Sequence, residues 1–234
     1  MSRLPVAILA GGLATRLGSL TKQTPKSLLE VAGRPFIHHQ LRLLRDQGVG
    51  KAVLCLGHLG ERVVEAVGDG SAFGLEVAYS FDGPELRGTA GALRRALPLL
   101  GPAFFVLYGD SYLECSYADV QAAFEASGRL ALMTVFRNEG RWDTSNVEFR
   151  DGRILAYDKT ARTPAMHYID YGLGVLACRA MDVVPESGAH DLAAVYQEML
   201  RRDGLAGFEV TERFYEIGSV AGLEETCAHL AGRD

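Results

Sequence analysis

The 234 residues carry 24 Lys and Arg against 29 Asp and Glu, a formal net charge of −5. No overall positive field is present to gather nucleic acid or anionic lipid, so any phosphate chemistry must be local. Hydrophobic residues at 48% and charged residues at 23% are ordinary globular usage, which excludes a disordered chain and supplies a core without disulfide staples.

The amino terminus, MSRLPVAILAGG, holds a short apolar run broken by Pro5 and dissolving into glycine. It reads as a first strand rather than a leader, and no apolar stretch reaches bilayer length. Further strand-like runs fall at Ala52–Leu56, Leu75–Tyr79, Phe104–Leu107 and Leu130–Phe136. Helical patterns at Pro35–Gln47, Glu61–Val67, Gly91–Leu99 and Tyr117–Ala126 separate most of them. Continuous rather than alternating apolar strands demand a sheet covered on both faces. The expectation through about residue 136 is therefore a doubly wound, mostly parallel, Rossmann-like α/β sheet. Beyond it come strands at Ser145–Phe149, Arg153–Tyr157 (after an Asp151-Gly152 turn) and Tyr168–Leu176, then helices at Leu192–Arg202 and Ala221–Leu230 with a short Phe214–Ile217 strand between. With no linker, repeat or low-complexity tract, one domain is expected, its first part (1–136) distinct in texture from the β-rich remainder (137–234). The four cysteines, Cys55, Cys115, Cys178 and Cys227, form no C-x-x-C pair. That argues against zinc and a disulfide scaffold, and for a reducing, cytoplasmic setting.

The first strand runs into Gly11-Gly12-Leu13-Ala14-Thr15-Arg16-Leu17, where a glycine pair lets backbone N–H groups approach an anion. Arg16 adds a cation, and Lys26, after Thr24-Pro25, adds a point charge if the segment loops back; together they suit a polyphosphate. A P-loop and a dinucleotide fingerprint are both excluded by spacing, and the second strand ends in Gly57-His58 where a ribose-binding acid would stand. Asp110 follows another buried strand at the same sheet edge, as a ligand-facing carboxylate or as a cap or turn residue. No histidine falls in a ligand pattern, and neither Ser111 nor Cys115 has a neighbour suited to activating a nucleophile.

The ordered set Leu9-Ala10-Gly11-Gly12, Thr15-Arg16-Leu17, Thr24-Pro25-Lys26-Ser27-Leu28-Leu29, Val31-Ala32-Gly33-Arg34-Pro35, Gly88-Thr89-Ala90-Gly91, Gly109-Asp110 and Phe214-Tyr215-Glu216-Ile217-Gly218-Ser219 resembles the sugar-1-phosphate nucleotidyltransferases. In length the chain is similar to their short monofunctional mannose-, heptose- or N-acetylmuramate-1-phosphate types. The resemblance implies attack by a sugar 1-phosphate oxygen on the α-phosphorus of a nucleoside triphosphate, with release of pyrophosphate. The FYEIGS ending looks most like guanylyltransferases, which favours GTP. Arg16, Lys26 and Asp110 would be catalytic, and Asp110 and Glu216 would hold Mg2+. Glu216 stands where the family usually has Asp, which moves its oxygens by a methylene and puts the coordination geometry in question.

Leu9, Gly11, Gly12, Thr15, Gly88 and Thr89 would contact the nucleotide. Glu85 reads as a contact to base or sugar, or as a surface turn. Asp158-Lys159 matches a family pair in which the Lys meets the sugar phosphate and the acid the hydroxyls; a surface ion pair is the plainer alternative. Asp170-Tyr171-Gly172 replaces the usual Asn-x-Gly, exchanging an amide for an acceptor-only carboxylate. Asn146 is a further candidate for sugar hydroxyls, or part of a bulky turn. A non-catalytic nucleotide-sugar sensor and a glycosyltransferase remain rivals, the second disfavoured because Asp110-Ser111-Tyr112 lacks a second acid. Relatives often dimerise, so a homodimer is compatible with the chain.

Overall fold

A computed structural model of the chain describes residues 3–12 and 24–233. In chain order its elements begin with β1 (Val6–Leu9), the small hairpin of β2 (Glu30–Val31) and β3 (Arg34–Pro35), α1 (Phe36–Asp46), β4 (Lys51–Leu56), α2 (Gly60–Val67) and β5 (Glu76–Phe81). Next come α3 (Gly88–Ala96), β6 (Ala103–Tyr108), β7 (Ser111–Tyr112), α4 (Tyr117–Ser127), β8 (Ala131–Arg137), β9 (Val147–Arg150) and β10 (Arg153–Tyr157). The chain closes with β11 (Tyr168–Ala177), α5 (Leu192–Arg201), β12 (Leu205–Val210), β13 (Tyr215–Glu216) and α6 (Val220–Leu230).

Strands β5, β4, β1 and β6 lie side by side and parallel. They are apolar on both faces because both are covered. Val6 and Ile8 pack with Leu41 and Leu44 of α1, Val63 of α2 and Val120 of α4. Ala7 faces the opposite core, with Leu93 of α3 and Val195 and Met199 of α5. This is the central doubly wound sheet expected above. Beyond β6 the direction reverses: β11 runs antiparallel to β6, β8 antiparallel to β11, and β12 parallel to β8. The parallel stack thus ends at Tyr108 and β8 lies in the antiparallel region. Burial of both faces makes a strand apolar whichever way its neighbour runs, so the pattern alone does not give direction.

Local signals account for most boundaries. Ser116, Asp191 and Ser219 cap α4, α5 and α6 by accepting from Asp119 N, Ala193 N and Gly222 N. Asp151 and Gly152 both take positive φ, 51° and 75°, as a two-residue hairpin between β9 and β10 requires. β12 is weakly marked: Asp203-Gly204 precedes it as a turn, with Asp203 at φ 55°, but Ala206 and Gly207 interrupt its apolar run. Its Gly207 is set by packing, because a Cβ there would lie 2.7 Å from the Phe149 ring. No described helix is long and apolar enough to cross a membrane.

A third, smaller core of Val31, Phe36, Tyr112, Ile217 and Leu230 ties the segment after Pro25 to β7, β13 and α6. This cluster positions the site, because Lys26, Asp110 and Glu216 all flank its members. The four cysteines are free thiols, and burial pushes Cys55 and Cys115 up to about 12. Native alkylation at pH 8 is therefore expected to leave both unlabelled, whereas both should react in denaturant. Labelling of Cys55 in the native protein would show that the end of β4 opens.

Candidate active site

The parallel strands β1, β4, β5 and β6 deliver their carboxyl ends to one edge, where a cleft of about 360 Å³ lies. Its lining comes from Leu9 to Gly12, Lys26 and Ser27, Cys55, Asp82, Leu86, the start of α3 at Gly88 and Thr89, and Tyr108 to Asp110. The loops after β1 and β6 approach closely: a Cβ on Gly109 would lie 2.7 Å from Leu9 O. Only glycine lets Asp110 sit against the turn that carries Gly11 and Gly12.

Pro25 turns the chain so that Lys26 faces the cleft, and Lys26 Nζ donates to Asp110 Oδ2 at 2.6 Å, with the two side chains 17% and 29% exposed. Antiparallel pairing of β13 with β7 sets Glu216 opposite Ser111, and Ile217 N donates to Asp110 O at 2.9 Å. Glu216 thereby arrives beside Asp110 although 106 positions separate them in the chain. Its carboxylate turns back to the start of α6. Oε2 accepts from Gly218 N and Oε1 from Ser219 Oγ at 2.7 Å, a place where the helix N-terminus favours negative charge.

All three charged groups meet around Gly218. A Cβ there would fall 2.4 Å from Glu216 Oε2, 3.1 Å from Lys26 Nζ and 3.4 Å from Asp110 Oδ2. The glycine leaves a cradle of two carboxylates and one ammonium open to the cleft. Among the described residues no three His, Cys, Asp or Glu side chains cluster, so the donor set is these two carboxylates. Each carboxylate has about four lone-pair positions, and Glu216 uses two of them on Gly218 N and Ser219 Oγ. Hard oxygen donors in this number fit a divalent cation such as magnesium that also takes phosphate oxygens. Gly218→Ala is expected to lower turnover about 10-fold or more while shifting the unfolding midpoint little, because its methyl group occupies the cradle and not the core. Full activity in that variant, measured as pyrophosphate release, would show that the cradle is not used.

Beside Gly88, the Thr89 hydroxyl ties the start of α3 to the start of α5: Thr89 Oγ1 accepts from Leu192 N at 2.7 Å and donates to Asp191 Oδ1 at 3.4 Å. Lys159 Nζ lies 3.8 Å from the same Asp191 carboxylate and 5.9 Å from the centre of the Tyr108 ring. Lys159 is thus at the cleft's margin. Asp170 accepts from Gly172 N at 3.1 Å and from Tyr157 Oη at 3.2 Å. Burial pushes its carboxyl up, and nearby Lys159 pulls it down. Gly172 takes φ 98° where the β11–β8 register shifts, and a Cβ on it would lie 3.5 Å from the Tyr108 ring. Ser27 and Tyr108 line the cleft with buried hydroxyls that lack a partner among the described residues.

Other expected positions are bonded within the protein or lie outside the cleft. Asn146 Oδ1 accepts from Asp170 N at 2.9 Å, while its main chain bonds Tyr168 and Asp158. It is a strut holding three segments together. Asp158 caps its own turn, accepting from Thr160 N, Thr160 Oγ1 and Ala161 N. Glu85 is exposed and outside the cleft lining. Thr15 and Arg16 lie outside the described residues. His38, His39 and His190 bond main-chain carbonyls, and His229 meets Glu114.

Asp82 and Asp191 were not singled out by the sequence. Asp82-Gly83 looks like an ordinary turn and Asp191 an ordinary helix cap, and a cap is indeed part of what Asp191 does. The only available signal for Asp82 was its place directly after a buried strand, the same signal that marked Asp110.

The nucleotidyl transferase family profile matches residues 6–146. Over 234 aligned residues the chain is 32% identical to the N-acetylmuramate alpha-1-phosphate uridylyltransferase of Neisseria meningitidis serogroup B, covering 96% of this chain and 97% of that protein. It is 35% identical over 232 residues to the mannose-1-phosphate guanyltransferase of Schizosaccharomyces pombe, covering 96% of this chain and 64% of that one. Among solved structures, a putative glucose-1-phosphate thymidylyltransferase from Bacillus anthracis superposes with a TM-score of 0.87 at 21% identity, over 98% of this chain and 96% of that one.

Proposed function

This chain belongs to the nucleotidyl transferase family and is an enzyme that moves a nucleotidyl group onto a sugar 1-phosphate, and we propose that it does so in the cleft at the strand ends, with GTP as donor and a heptose or hexose 1-phosphate as acceptor. One observation carries the assignment of the site: Lys26, Asp110 and Glu216 converge on Gly218 at the cleft that Gly11, Gly12, Gly88 and Thr89 line. In this reading residues 1–136 hold the nucleotide and residues 137–234 contribute the sugar side.

The chemistry is an in-line displacement between two anions. An oxygen of the sugar phosphate forms a bond to the α-phosphorus, the bridging bond from the α-phosphorus to its β-phosphate oxygen breaks, and pyrophosphate leaves with that electron pair. No protein nucleophile is consumed. What the protein supplies is alignment and charge neutralisation. In this reading Lys26 Nζ, which donates to Asp110, meets the α-phosphoryl oxygens. Lys159 meets the sugar phosphate on leaving Asp191, and the Ser27 hydroxyl, without a partner among the described residues, adds a donor. Asp110 and Glu216 would hold magnesium, which supplies neutralisation of phosphate charge when bound. Arg16 is assigned to the departing pyrophosphate by the sequence resemblance alone.

The decisive assay incubates purified protein and magnesium with each nucleoside triphosphate and a panel of sugar 1-phosphates, following pyrophosphate. Release that requires both substrates is the expected result. Release from the triphosphate alone, or onto a preformed nucleotide-sugar, would overturn the assignment.

A further inference from the structure

Glu216, one of the two carboxylates of the cradle, sits on a strand of two residues, Tyr215 and Glu216. Its ladder with β7 pairs only those two, with Tyr112 and Ser111, and so short a strand does not hold its own orientation. Successive side chains leave a strand on opposite sides, so Tyr215 faces away from the cradle. On that side stands a column of flat groups. The Arg213 guanidinium carbon lies 4.8 Å from the centre of the Tyr215 ring and 3.7 Å from that of Trp142. The Tyr215 ring stacks on His229 of α6, with centres 3.7 Å apart and planes at 15°. His229 Nε2 lies 2.6 Å from Glu114 Oε2, just beyond β7. Arg213 also pairs with Glu225 of α6. Its Nε is buried with no hydrogen-bond partner among the described residues, which fits a guanidinium seated by its faces as much as by its donors.

Trp142 gives the column a fixed end. It belongs to the loop between β8 and β9, which is organised by the fully buried Asn138. Asn138 Nδ2 donates to Asp143 O at 2.6 Å and to Ser145 Oγ at 3.1 Å, and its Oδ1 accepts from Trp142 N at 3.2 Å. The Trp142 ring is nevertheless 46% exposed, a large apolar face left at the surface with Arg213 stacked on it. Neither Trp142 nor Arg213 is among the described residues that line the cleft, so their contact bears on the chemistry through β13. Phe214 separately packs on Phe136 and Tyr171, which keeps the segment docked on the core whatever becomes of the stack.

We infer that Arg213, stacked on Trp142 and Tyr215, is a positioning residue that holds Glu216 in place for the divalent cation, a role that rests on the nucleotidyl-transfer reading and the cradle described above. Trp142 is the single tryptophan, so its emission reports the stack. Arg213→Lys keeps the charge but has no plane to stack, and it should shift that emission to the red and open it to acrylamide. Manganese(II) alone, followed by loss of its free electron-resonance signal, should bind Arg213→Lys and Trp142→Ala about 10-fold more weakly than the natural protein, the scale on which supports of a metal ligand act. The magnesium concentration giving half-maximal pyrophosphate release should rise by the same factor, with KM for the sugar 1-phosphate little changed. Trp142→Phe keeps an aromatic face and should restore natural values, and Arg213→Lys with Trp142→Ala should fall no further than the worse single variant. Unfolding midpoints within about 2 °C of the natural protein confirm folding; should Trp142→Ala fall below that, Arg213→Lys decides. Unchanged emission, unchanged manganese affinity, or a slower rate with natural metal dependence would overturn the inference. If the natural protein releases no pyrophosphate, the transfer reading fails instead. Manganese binding then decides Arg213 alone, supporting the inference if the variants bind about 10-fold more weakly and overturning it if all bind alike or none binds.

Discussion

Asp110→Asn is expected to lower turnover about 1,000-fold, the scale on which removal of a charge-stabilising group acts. Asn keeps the shape at the end of β6 but withdraws the negative charge that holds Lys26 Nζ at 2.6 Å and half of the proposed oxygen donor set. The substitution also leaves a largely covered ammonium, 17% exposed, without its counter-charge. A loss of about 1–2 kcal/mol of stability follows, seen as a fall of a few degrees in the unfolding midpoint. Steady-state pyrophosphate release with a parallel thermal scan checks both. Turnover within 10-fold of the natural enzyme would remove Asp110 from the chemistry.

Lys26→Ala is the second large effect, with turnover falling about 100- to 1,000-fold. Here the lost group is the cation proposed to meet the α-phosphoryl oxygens, and Lys26→Arg should recover part of the rate because charge is retained while geometry is not. Since Lys26 and Asp110 touch, the double variant should fall little further than the worse single one, as groups acting as a unit do. Multiplicative losses in the double variant would show that the two residues act independently.

Much of this site was legible in the chain because open α/β sheets bring the carboxyl ends of successive parallel strands to one edge. That rule puts Gly11, Gly12 and Asp110 together before any coordinates. Lys26 joined them only conditionally, since nothing local says that the segment after Gly12 returns. Glu216 was placed by resemblance, and its doubtful extra methylene has a structural outlet: the carboxylate folds back to Gly218 N and Ser219 Oγ, where Gly218 and Gly222 leave room. Asn146 and Asp158 turn out to be bonded within the protein, and the sequence could not show it for one reason. A polar side chain in a sugar-side loop looks the same in sequence whether it awaits a ligand or ties loops and strands together.

What the residues alone determine are the elements whose signals are local: apolar runs, Ser and Asp caps, the Asp151-Gly152 turn, the glycine-rich exit of β1. These act over a few positions and need no partner. Strand direction beyond β6, the existence of β12 and the union of Lys26 with Asp110 across 84 positions rest on contacts between distant parts of the chain. Their energies depend on which surfaces meet, so only the assembled tertiary structure decides them.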